Sequence, residues 1–157
     1  MLAQASTTMP YPSSTVAAAL AEPAHPWAVS LDTDGRAQLA RIGVNIGRVS
    51  IYKQVRLEVG ASTATLRSES VMLPVSWVAL GGPPVFPKME GTLHVEPDGA
   101  GGCKLTLNAR YDPPMGKLGV LIDRALMHRI AQATMGDFVE RLAGAVASEL
   151  ALGRAAG

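Results

Sequence analysis

No proline follows Pro114, and beyond it apolar positions recur mostly every four residues almost to the end of the chain: Leu118, Ile122, Leu126, Ile130, Thr134, Phe138, Leu142, Val146 and Leu150. Recurrence at three to four residues marks one face of an α-helix, so the spacing predicts a single long helix over about residues 116–151. A strict four-residue ridge drifts by roughly 40° per step on a helix of 3.6 residues per turn. The stripe therefore winds, as expected of a long helix lying across a twisted sheet. Arg124, Arg129, Glu140, Arg141 and Glu149 make up much of the remaining surface.

Ahead of that helix the pattern is of strands. Val49, Ile51, Val55, Leu57 and Val59 fall on one face, with Lys53 the exception, and Ser50, Tyr52, Gln54, Arg56 and Glu58 on the other. This period of two is a sheet with one side buried and one side wet. After a turn at Gly60-Ala61-Ser62, residues Thr63 to Leu80 read as one long bent strand or two short ones. The apolar phase slips near Ser70, where a bulge or break lets Val71, Leu73, Val75 and Trp77 share a face. Met89, Gly91, Leu93 and Val95 form the apolar side of the next strand, and Cys103, Leu105, Leu107, Ala109 and Tyr111 that of the last. Pro97-Asp98-Gly99-Ala100-Gly101-Gly102 joins them as a hairpin connection. Strands joined by short turns make an antiparallel meander. Nearer the N-terminus, Ser13-Ser14-Thr15 before Val16–Leu20 predicts a short hydroxyl-capped helix stopped by Pro23 and Pro26.

Composition narrows the function classes. With 48% hydrophobic and 17% charged residues the chain can bury a core, and 157 residues suit one domain with at most a tail. Fourteen Lys and Arg against thirteen Asp and Glu leave a formal charge of +1, which offers no field for a phosphate backbone and argues against a nucleic-acid partner. No apolar run approaches the roughly 20 residues of an integral membrane segment. Residues 1–14 read as a frayed or strand-like start, without the basic and apolar regions of a secretory signal. The expectation is a cytoplasmic protein whose single domain spans 15–153. One cysteine, Cys103, excludes an internal disulfide. His25, His94 and His128 are too scattered for a metal site, and no motif asks for a cofactor. Asp32-Thr33-Asp34-Gly35 starts like a calcium loop, but Gly43 stands where the bidentate Glu belongs. Gly116 and Gly119 lack the context of a phosphate loop.

A short early helix, curved antiparallel strands and one long C-terminal helix make up the helix-grip pattern. Leu73-Pro74-Val75-Ser76-Trp77, Phe86-Pro87-Lys88-Met89-Glu90-Gly91, Tyr111–Gly119, Asp123-Arg124 and His128–Ala131 carry the match. Through them residues 48–150 resemble a bacterial branch of the START-like superfamily, also called SRPBCC, which includes polyketide cyclase-like proteins. The resemblance implies an α+β fold, a curved antiparallel β-sheet wrapped around a long C-terminal α-helix. It also implies a cavity between the two for an apolar or amphipathic small molecule. No set of catalytic residues is common to the superfamily, so the resemblance implies a pocket and leaves the reaction open.

Laid on the apolar faces, that cavity would be lined by Val75, Trp77, Met89, Leu93, Leu107, Tyr111, Ile122, Leu126 and Ile130. Trp77 reads equally as a cavity wall or as plain core. The seven methionines suit an adaptable pocket, though core filling accounts for most of them. His128, Tyr111 and Asp112 are the candidate proton-transfer groups; His128 facing the cavity could work near neutral pH, whereas a solvent-facing histidine would not. Asp112 before Pro113-Pro114 also shapes the turn into the helix, and Cys103 reads as a structural thiol. Three functions follow as expectations: binding of a hydrophobic small molecule, a cyclase or dehydratase using the same pocket, or a protein-interaction module with a packed interior.

Overall fold

The computed structural model describes residues 2–22, 39–46, 49–65, 70–80, 88–112 and 124–155. Within them the chain forms seven strands and two helices. These are β1 (Leu2–Met9), α1 (Ser13–Ala21), β2 (Leu39–Ile46), β3 (Val49–Val59), β4 (Thr63–Thr65), β5 (Ser70–Ala79), β6 (Lys88–Pro97), β7 (Cys103–Asp112) and α2 (Arg124–Ala155). One antiparallel sheet runs β1-β7-β6-β5-β3-β2, with β4 added beside β5. The helix α2 packs against β7 and against both edge strands, β1 and β2. A sheet whose two edges reach the same helix is curled around it, which is the helix-grip arrangement, and the helix shields edges that would otherwise invite foreign strands.

Alternation in the sequence carries over into burial. Val55 and Leu57 on β3, Leu73, Val75 and Trp77 on β5, Met89, Leu93 and Val95 on β6, and all five odd-numbered residues of β7 are buried. The described residues within 63–80 form two strands, β4 and β5, paired antiparallel through Thr63↔Met72 to Thr65↔Ser70. The phase slip at Ser70 is thus the start of a new strand. Pro74 falls in the gap between the β3 and β4 pairings. Its carbonyl accepts from Gly60 N at 2.9 Å, and the N–H it lacks would face the same gap, where no ladder needs a donor.

The early helix begins differently from the expectation. No side chain caps it: the carbonyl of Pro12 accepts from the amides of Thr15 and Val16 at 3.0 and 3.1 Å. Ser13 is itself buried with Val16, Ala17 and Leu20 against the core, so it is packed rather than capping. Pro23 and Pro26 lie outside the described residues. The N-terminal segment is a strand, β1, paired with β7 along its whole length from Leu2↔Arg110 to Met9↔Cys103. The sheet therefore takes in residues before 15.

The long helix is described from Arg124, and its expected start near 116 lies outside the described residues. It buries Met127, Ile130, Ala131, Thr134, Met135, Phe138, Val139, Leu142, Ala145 and Val146, a face that steps by three and four. Leu126, expected to line the cavity, is 41% exposed. The drift of the four-residue ridge explains it: three steps from Phe138 carry Leu126 roughly 120° off the inward face. Near the far end, the guanidinium of Arg154 sits 5.1 Å over the ring of Tyr11, tying α2 to the β1–α1 connection through a cation–π contact.

Candidate ligand site

Register sets the site. Leu57, Trp77, Met89 and Tyr111 are aligned across β3, β5, β6 and β7 as one row on the inward face. Against this row α2 presents Ala131, Thr134, Met135 and Phe138. The Trp77 and Phe138 rings meet at 5.0 Å between centroids, tilted by 52°, a favourable aromatic geometry. Beside that contact lies a small, partly open void of about 10 Å³ lined by Trp77, Met89, Tyr111, Ala131, Thr134 and Met135. The space exists because α2 places an alanine and a threonine opposite large sheet residues. Its volume is on the order of one water molecule.

The chemistry at this row is sparse and ordered. Tyr111 is 1% exposed, and its hydroxyl lies 3.2 Å from Nδ1 of His128, which stands on the exposed side of α2. The two rings are 6.3 Å apart. Thr134 Oγ1 donates to the carbonyl of Ile130 at 2.7 Å, so its hydroxyl is satisfied within the helix. Asp112 follows Tyr111 on the strand, points to the opposite face and is exposed. It is not brought to the void, because successive strand residues alternate sides.

Of the remaining expected lining residues, Val75, Leu93 and Leu107 are buried in rows further along the sheet, in packed core rather than at the void. Ile130 is buried on α2, Leu126 is exposed, and Ile122 lies outside the described residues. Ala131 enters the sequence reading only as the end of the His128–Ala131 match and not as a lining residue, and Thr134 and Phe138 are members of the apolar stripe. Small residues at three-residue spacing on a buried helix face were the available clue, since they leave room that larger ones fill.

Outside this interior, open grooves indent the surface among the described residues. One of about 350 Å³ runs over Glu58, Pro74, Ser76 and Glu90, and one of about 600 Å³ over Gln4, Asn108, Arg110 and Gln132. Lys88 and Glu90 form an exposed ion pair at 2.6 Å. Its hydrogen bond and charge raise the Lys88 ammonium and lower the Glu90 carboxyl from their ordinary values. Among the described residues no group of three His, Cys, Asp or Glu side chains converges, and no helix is long and apolar enough to cross a membrane.

No protein-family model matches the chain, and no curated protein matches it. Solved structures do. A conserved protein of Geobacillus kaustophilus superposes with a TM-score of 0.55 at 16% identity, covering 94% of this chain and 96% of that one. A protein of Thermus thermophilus gives 0.54 at 16% identity over 95% and 99%. The Zhui aromatase/cyclase of a Streptomyces species gives 0.50 at 10% identity over 96% and 95%. The fold of this chain is START-like.

Proposed function

We propose that this chain binds an apolar or amphipathic small molecule between the sheet and α2, at the row of Trp77, Met89 and Tyr111. The observation that carries the reading is the small apolar void at that row, lined from the sheet by Met89 and from the helix by Met135. Unbranched methionines repack at low cost, so a ligand larger than the void gains its space by displacing them. The same fold serves an aromatase/cyclase in Streptomyces, and that likeness supports a pocket without supplying a reaction.

Two other readings each have an observation in their favour. The hydrogen bond between Tyr111 and His128 suits a cyclase or dehydratase that moves a proton in this pocket. The dense packing of the rest of the interior suits a protein-interaction module. Native mass spectrometry of the purified protein, followed by denaturing extraction, separates the three. A stoichiometric apolar adduct is expected. Release of a chemically altered molecule on prolonged incubation would move the reading to the enzyme. A clean mass that persists after incubation with a panel of hydrophobic compounds would overturn ligand binding.

A further inference from the structure

The void beside Trp77, Met89 and Tyr111 presents only apolar surface: none of its six lining residues turns a nitrogen or oxygen atom to it. The two hydroxyl groups among the six are engaged elsewhere. Thr134 donates to the Ile130 carbonyl at 2.7 Å, back along its own helix. The Tyr111 hydroxyl lies 3.2 Å from Nδ1 of His128, toward the exposed side of α2, so the phenol shows the void its ring alone. Ala131 contributes a methyl group, and Met89 and Met135 contribute thioethers, whose sulfur is a weak acceptor. None of the six is charged. The unbranched Met89 and Met135 are the side chains that repack most readily, so enlarging the void exposes more carbon and sulfur and no donor.

We propose that the part of the ligand held at this row is a bare hydrocarbon, a ring or chain end that carries no hydrogen-bonding group. The inference rests on the ligand-binding reading above and narrows it. A hydroxyl, carbonyl or carboxylate buried there gives up its water and gains no partner, a loss that a hydrocarbon does not suffer. An amphipathic ligand therefore seats its hydrocarbon end against Trp77, Met89 and Tyr111 and keeps its polar end outside the row. Met89 from the sheet and Met135 from the helix set this selectivity, because they supply the surface that meets the ligand as the void opens.

Calorimetric titration with naphthalene, 2-naphthol and 2,6-dihydroxynaphthalene tests it. One end of 2-naphthol is bare, whereas the diol must bury a hydroxyl whichever end enters. In the wild type 2-naphthol is expected within about threefold of naphthalene, and the diol about thirtyfold weaker than 2-naphthol, the penalty of one buried hydroxyl without a partner. Met89→Gln and Met135→Gln keep the length of the side chain and bring an amide to the row. Each should bring the diol to within about threefold of 2-naphthol, and if one variant fails to fold the other carries the test. Binding of the diol as tight as that of 2-naphthol in the wild type overturns the hydrocarbon rule and leaves ligand binding standing. An equal loss for each added hydroxyl overturns it as plain partitioning, and a penalty unchanged in the folded glutamine variants overturns its assignment to this row. Binding of none of the three overturns it together with the ligand-binding reading.

Discussion

Cys103 opens the inward row of β7 at 0% exposure, and burial, with Asp98 adding a nearby negative charge, pushes its thiol above the ordinary value of 9.0. The reactive species is the thiolate, so the native protein should resist thiol reagents at neutral pH and become labelled only as it unfolds in urea. Rapid stoichiometric labelling without denaturant would contradict the burial. The shift also has a sign in stability. A group whose folded value is raised contributes fully below its unfolded value and loses that contribution as pH climbs through the folded one. Above about pH 9 the urea midpoint of the wild type should therefore fall relative to that of Cys103→Ala, and parallel curves would refute the shift. At this scale the sequence was informative where strand alternation decides. Trp77, Met89, Cys103 and Tyr111 face inward because period two leaves them no other side. It was uninformative for the Tyr111–His128 contact, which joins a strand to a helix and depends on how far α2 is rotated about its axis. It misled at Leu126, where a four-residue recurrence was followed further than helix geometry allows.

Strand pairing brings β6 and β7 unusually close at one point. Gly91 lies opposite Ala109, and a Cβ added to it would come within 2.6 Å of both the Ala109 Cβ and the Asn108 carbonyl oxygen. The absent side chain is what lets the two strands approach in the middle of the sheet, between the row of Trp77 and Met89 and the row of Leu73 and Leu93. Gly91→Ala should destabilise by about 1–3 kcal/mol, the range for overpacking a core, read as a lower urea midpoint with an unchanged far-ultraviolet spectrum. Ala109→Gly on the same background should recover only part of the loss, since the Asn108 carbonyl stays in place. Full recovery would show that the backbone contact yields. This crowding was not readable beforehand, because Gly91 simply continued an apolar phase. The hairpin that follows was readable: Gly99 and Gly101 adopt φ of 81° and 91°, and Asp98 Oδ1 accepts from Ala100 N and Gly102 N at 2.7 and 3.0 Å, as an Asp-Gly turn does. The α1 start was less so, since a Ser-Ser-Thr run can serve either as cap or as packing, and burial against β5, β6 and β7 decided for packing.

For the molecule as a whole, the two layers followed from two periodicities, two in the strands and near four in the helix, while the wrapping of the sheet around the helix followed from the family resemblance. The volume enclosed between them did not follow. Side chains that alternate correctly can meet with space for a ligand or with room for about one water, and the difference rests on shifts smaller than a side chain. The first residues read as either frayed or strand-like, since a polar and small-residue strand has a weak signature, and they form a strand. Yet β1 pairs with β7 from Cys103 to Arg110, buries Ala3 and Met9, and packs against α2. Removing it would turn β7, whose five inward residues are all buried, into an open edge and uncover one flank of α2. A chain beginning at Pro12 should therefore lose cooperative thermal unfolding and elute as oligomers or aggregate in size-exclusion chromatography, as an exposed, long apolar edge strand predicts. A monomer with a sharp transition near that of the full chain would mean that α2 and the remaining strands close the grip without β1, and that the fold begins at α1.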